Sequence, residues 1–246
     1  MKCEVYTFCY NEMDILPWVV ASWKRYADHV TVYDNGSTDG SVEYLKKHSF
    51  VTVEHFDTDG LDDGVIIDMK NNVWKRSNAD IVVVCDMDEI LGGAGIWANL
   101  RVMKEAGGTI YRPIWYNLMW DSRPACVEGQ IIEDVCELGK CDLNPKAIIF
   151  DPKAIREMNY LPGAHECHPE GEVRWFSGPL CVLHVNHSLS LDYKIETYRK
   201  LNARRSGNNI KNDWGVHYGF SEERIGMEWE ADRNAAVNPK SVFVPY

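Results

Sequence analysis

The chain has 246 residues, 45% of them hydrophobic and 26% charged, an ordinary globular balance that buries a sizeable core. Its formal net charge of −11 excludes a general nucleic-acid binder, which needs a basic footprint to displace counterions from phosphate. Phosphate-bearing small molecules stay admissible, because a bound cation reverses the local sign.

Elements alternate along the first half. Glu4 to Cys9 reads as a strand, and Ile15 to Tyr26 carries Leu16, Val19, Val20 and Trp23 at helical spacing, with Pro17 tolerated in the first turn. Val30 to Tyr33 is a second strand, closed by the turn Asp34-Asn35-Gly36-Ser37-Thr38-Asp39-Gly40. A helix over Val42 to Lys47, a strand over Val51 to Phe56 and a helix over Asp63 to Arg76 follow. Ile81 to Cys85 is a continuous apolar run, as a parallel strand buried on both faces requires. Beyond Gly107 the pattern is irregular: strands are expected at Thr109 to Ile114, Ala147 to Phe150 and Leu180 to His184, then a helix from Leu191 to about Arg205. No linker or repeat divides the chain, so we expect a single α/β domain, with a mostly parallel central sheet flanked by helices. Its parts would be a first half (1–106), a second half (107–205) and a C-terminal extension (206–246).

The N-terminus is too short and polar for a signal peptide, and no apolar run reaches the ~18–20 residues that span a bilayer. The eight cysteines include no Cys-x-x-Cys pair, which argues against a zinc ribbon. A reduced, cytoplasmic protein is expected, with a disulfide among the later cysteines left open.

Strands separated by helices pair in parallel, and ligands bind at their carboxyl ends. Three polar clusters follow strands directly: Tyr10-Asn11-Glu12, Asp34 to Asp39, and Asp86-Met87-Asp88-Glu89. A parallel sheet gathers them on one edge. In an extended segment residues two apart face the same side, about 6.5–7 Å apart. Asp86 and Asp88 would therefore share a ligand while Met87 faces the core. Hard carboxylate oxygens suit Mg²⁺ or Mn²⁺, with substrate phosphates completing the shell. Glu89, out of phase, is assigned to packing or a cap. The turn chemistry of Gly36 to Gly40 leaves Asp34 at the strand end unexplained.

Together these three clusters resemble the successive signatures of family-2-like glycosyltransferases with the GT-A fold. Gly163-Ala164-His165 and Leu183-His184-Val185 resemble, more loosely, a Gly-x-His and a Leu-x-His-Tyr element of one subgroup. The resemblance implies a UDP- or GDP-linked sugar donor and a glycan or lipid-linked acceptor. Thr7, Cys9, Asn11 and Glu12 would border the base, Asp34 would contact base or ribose, and Lys70 would lie near the nucleotide. By the same resemblance Asp86 faces the ribose side and Asp88 binds the metal directly, with His184, or alternatively His187, as a further ligand. For the acceptor's base, His165-Glu166 is favoured over Glu133-Asp134, since inversion needs a carboxylate or His at the acceptor hydroxyl. The cations Lys194, Arg199, Lys200, Arg204 and Arg205 would clamp the diphosphate or simply be solvated. Of Trp115, Tyr116, Trp120, Tyr160, Trp175, Trp214 and Tyr218, some would line an acceptor groove and most would pack the core or an oligomer interface. The competing readings are a nucleotidyltransferase, disfavoured because no Gly-rich basic loop follows the first strand, and a catalytically silent carbohydrate-binding protein.

Overall fold

The computed structural model describes residues 1–185 and 190–242. In chain order the elements are β1 (Cys3–Cys9), α1 (Leu16–Trp23), β2 (His29–Asp34), α2 (Ser41–Leu45), β3 (Val51–His55), α3 (Asp63–Asn72), β4 (Ile81–Asp86), β5 (Glu89–Gly92) and α4 (Ile96–Glu105). Then come β6 (Ile110–Met119), α5 (Ile132–Val135), β7 (Leu138–Asp142), β8 (Ile149–Phe150), β9 (Ile155–Glu157), β10 (Glu170–Gly171), β11 (Trp175–His184), α6 (Leu191–Arg204), α7 (Gly207–Lys211) and α8 (Glu222–Ala235).

The fold is α/β, as expected. Its central sheet runs β3-β2-β1-β4-β8-β6-β11-β5, with β7 paired to β6. The first four strands are parallel. The rest is mixed: β8 runs antiparallel to β4 and β6, β11 runs parallel to β6, and β5 closes the edge antiparallel to β11. One sheet thus runs through both expected halves.

Alternation along the strands divides the core. Ile81, Val83 and Cys85 of β4 face the larger cluster, with α1 and α4, whereas Val82 and Val84 face a smaller one built around Trp74, Phe150 and Tyr160. Every residue of α1 is buried. In α3 the Asp62 carboxylate caps the helix by accepting from the N–H groups of Gly64 and Val65, and the helix ends at Asn72, short of the expected Arg76. The last strand is longer than the apolar run suggested. It starts at Trp175, with an irregularity between Ser177 and Cys181 where Gly178-Pro179 interrupts the ladder. There the Leu180 N–H donates to the Tyr111 hydroxyl. All eight cysteines are free thiols. Among the described residues no helix is long and apolar enough to cross a membrane.

Candidate functional site

Parallel pairing sets Cys9 beside Asp34 and Phe8 beside Asp86, so the three polar clusters do meet at the carboxyl edge of the sheet. A cleft of about 590 Å³ opens there, within the range that takes a small-molecule ligand. It is lined by Phe8, Cys9, Tyr10, Glu12, Asn35 and Phe56, and by Asp63, Ile66, Ile67 and Lys70 of α3. Asp86, Met87, Asp88, Lys146, His165 and His184 line it as well, together with Arg204, Trp214, His217 and Tyr218 from the C-terminal part of the chain.

The first two clusters chiefly shape this edge. Asp34 is buried, and its Oδ2 accepts from the N–H groups of Gly36 and Ser37, 3.0 Å each. Turn chemistry therefore does account for one oxygen of Asp34, against our expectation; its Oδ1 is buried with no hydrogen-bond partner. Asn11, at φ +55°, donates its N–H to the Ser37 hydroxyl and accepts at Oδ1 from the Thr38 N–H. Ser41 Oγ accepts from the Glu12 N–H, and Asp39 accepts from the Met13 N–H. Asn11 is thus a clamp between two loops and does not line the cleft. Thr7 is fully buried inside β1, so it cannot border a ligand. Cys9 does line the cleft, and burial pushes its thiol up to about 12, which makes it inert bulk. Burial, then the nearby carboxylates of Asp88, Asp14, Asp39 and Asp86, raises Glu12 well above the ordinary carboxylate range. A cation in this crowd of acids would relieve it.

The two aspartates expected to share a cation do different things. Asp86 ends β4, and both its oxygens are taken: Oδ1 by Lys70 Nζ at 2.6 Å, Oδ2 by Lys146 Nζ at 3.0 Å. Burial alone would raise its pKa, but Lys70 and Lys146 outweigh that and hold the carboxyl below the aspartate range. Both oxygens of the expected ligand Asp86 thus face lysine ammoniums. Glu89, fully buried, accepts from Lys146 Nζ at 2.6 Å and from the Asp86 N–H at 2.9 Å. Met87 packs in the main core, as expected.

Asp88 turns the other way. Its Oδ2 lies 3.2 Å from His184 Nε2, while its backbone carbonyl accepts from the Val185 N–H. His184 Nδ1 sits 2.8 Å from Asn117 Oδ1; an amide oxygen can only accept, so Nδ1 carries the proton and Nε2 faces Asp88. Burial would lower the His184 pKa, but Asp88 outweighs it and raises it. An oxygen and an imidazole nitrogen held this way fit a divalent cation. No group of three or more such ligands occurs among the described residues, so phosphate or water oxygens would have to complete the shell.

The candidate base pair separates. His165 lines the cleft, and desolvation, followed by the Lys146 charge, lowers its pKa below the ordinary histidine value. Glu166 is exposed and pairs with His168 at 3.3 Å, off the cleft. Glu133 is buried against Arg25 at 2.5 Å and accepts from the Gly93 N–H, a structural role. His187 lies outside the described residues.

Of the α6 cations only Arg204 reaches the cleft. Its guanidinium stacks 3.1 Å from the Tyr10 ring centroid and donates to Asn35 Oδ1. Arg199 and Lys200 pair with Glu222 and Glu196. Trp214 and Tyr218 line the cleft, whereas Trp115, Trp120 and Tyr160 are core. Sequence reasoning missed Lys146: it follows an Asn-Pro turn signal and reads as an exposed loop residue.

No model of a known protein family matches the chain, and no curated protein does. Among solved structures it is similar to S. aureus TarS 1-349, at 15% identity over 62% of this chain and 47% of that one, with a TM-score of 0.38. It is also similar to TarS 1-349 in complex with UDP (13% identity, 91% of this chain, 73% of that one, TM-score 0.41). A third similar structure is TarS 1-349 in complex with UDP-GlcNAc (13%, 89%, 71%, TM-score 0.41). The chain spans about half the length of the first of these.

Proposed function

We propose that this chain is a GT-A-type glycosyltransferase that takes a sugar from a UDP- or GDP-linked donor to a hydroxyl of a glycan or lipid-linked acceptor, with Mn²⁺ or Mg²⁺ and with inversion. The observation that carries this reading is the Asp88–His184 pair, 3.2 Å apart, on the cleft wall at the strand ends, in a chain whose motif order resembles such enzymes. When bound there, a divalent cation offsets the charge that builds on the departing diphosphate.

The chain's own groups divide the rest of the work. Asp88 and His184 would hold the cation, and the Asn117 contact would fix the imidazole's tautomer. Tyr10 with its stacked Arg204, together with Phe8 and Phe56, offers the nucleobase aromatic faces and a planar cation. His165, neutral at pH 7 because its pKa is lowered, takes the proton of the acceptor hydroxyl as that oxygen bonds to the anomeric carbon and the bond to the diphosphate breaks.

The test is a thermal-shift panel of UDP, GDP, ADP and CDP, each with Mn²⁺ and with EDTA. A rise in Tm for UDP or GDP that is larger with Mn²⁺ is expected. An unchanged Tm across the panel in both conditions overturns the proposal.

A further inference from the structure

We infer that Lys146 is a diphosphate-binding residue of this cleft, supplied by the loop between β7 and β8 and aimed by Glu89. The inference rests on the donor reading above.

Its place follows from strand register. β4 and β8 pair antiparallel through Val82 with Phe150 and Val83 with Ile149, and the Val84 N–H donates to the Ile148 carbonyl. Continuing that register by three residues sets Lys146 opposite Asp86, at the carboxyl edge where the cleft opens. The side chain is buried, with its ammonium 5.9 Å from the Trp115 ring centroid. Burying an ammonium is costly unless it is paired. Glu89 Oε1 and Asp86 Oδ2 provide the pairing. Although desolvation opposes the charge, the two carboxylates hold the Lys146 pKa above the ordinary lysine value, so the residue is cationic at any working pH.

A purely structural salt bridge would be closed from the cleft. This one lines it. An ammonium has three N–H donors; Lys146 places two on carboxylates and Lys70 places one on Asp86. The two cations flank a single aspartate, so among the described residues the cluster keeps donors to offer an anion. The same network is tied to the Asp88–His184 pair, because Glu89 and His184 are register partners between β5 and β11. A diphosphate that meets a cation at Asp88 and His184 therefore has an ammonium beside it, fixed in place before the ligand arrives.

The experiment is a phosphate ladder. Affinities of uridine, UMP and UDP, or the guanosine series if the base panel selects it, are measured by calorimetry in Mn²⁺ for the wild-type chain, Lys146→Met and Lys146→Gln. Gln keeps an N–H for Asp86 and Glu89, so it guards against a Met variant that does not fold. Each variant is read against its own nucleoside affinity, which cancels general loss of stability. The expected result is unchanged uridine binding with UDP weakened roughly 10- to 100-fold, the worth of a charge-assisted hydrogen bond. UDP bound as tightly as by wild type, or UDP and uridine weakened alike, overturns the inference and leaves the donor reading standing. A wild-type chain that binds no member of either series overturns both.

Discussion

Asp88→Ala removes the oxygen that faces His184 Nε2 and leaves the backbone bond from Val185 in place. Mn²⁺-dependent donor turnover is expected to fall about 100-fold or more in a chain that keeps its circular dichroism. Asn at this position should retain part of the activity, because an amide oxygen still coordinates without bringing charge. Wild-type turnover in a folded Asp88→Ala protein would refute the metal assignment. The structure also splits the pair His165-Glu166. His165→Ala should lower kcat by about 100-fold with donor affinity unchanged, while Glu166→Gln, exposed against His168, should stay near wild type. The pH profile follows from the sign of the shift. The groups around His165 that move its pKa are Lys146 and His184, which lower it, and Asp142 and the Asn144 backbone, which raise it; with desolvation the net is downward. The neutral, base-competent form therefore persists below pH 6.5. At saturating Mn²⁺, which competes with the proton that Asp88 favours on His184, activity should stay flat from neutrality downward past that value and fall only at lower pH, and His165→Ala should abolish that acid limb. An acid limb kept by the variant would assign it to another group.

At the level of elements, Glu133 shows what a conspicuous acidic pair does when it is structural. Its carboxylate joins α5 to Arg25 beyond α1 and to the Gly93 N–H beyond β5. Glu133→Ala leaves Arg25 and that N–H without the partner they now have. Chemical denaturation should show a loss of about 2–3 kcal/mol, while nucleotide affinity is unchanged; a loss of affinity without a loss of stability would return Glu133 to the active site. The regular alternation from β1 to β4 was legible because each strand carries β-branched, aromatic or cysteine residues and Gly, Asn, Asp or Ser stands in the segments between them. Strand β5 was not. It has four residues, opens on a glutamate, and is a strand only because β11, far along the chain, pairs with it. Helix α4 carried a readable stripe, with Ile96, Leu100 and Met103 buried, but its start is hidden in Gly92-Gly93-Ala94-Gly95 and has no side-chain cap. The site divides in the same way. The edge where the clusters meet, Asp88 and His184 could be placed from strand ends. The ion pairing of Asp86 could not, because Lys146 reaches it through antiparallel register, which leaves no periodic trace in sequence.

Across the whole molecule, the cleft is bordered by a segment that folds back from the C-terminal part of the chain. The Leu61 N–H donates to the Arg204 carbonyl at 2.6 Å, and the Ser206 N–H donates to the Leu61 carbonyl at 3.0 Å. Asn209 exchanges hydrogen bonds with Asp63 at both its amide atoms. Gly60, at φ +77°, makes this seat possible: a Cβ there would lie 2.1 Å from the Arg204 carbonyl oxygen. Gly60→Ala should therefore lower stability by roughly 1–3 kcal/mol and weaken nucleotide binding as well, since Arg204 and Trp214 shift with the seat. Full nucleotide affinity in that variant would show that the cover contributes nothing to binding. The same seat also orders events in time. Pairing among β1 to β4 closes at most the 78 residues between Cys3 and Ile81, whereas the Asp63–Asn209 bond closes a separation of 146 residues, a contact that local structure cannot accelerate. In refolding followed by pulse-labelled hydrogen exchange, the amides of Leu61 and Ser206 should gain protection after those of β1 and β4. The competence to hold a nucleotide would then arise in the final kinetic phase, later than the bulk of the secondary structure.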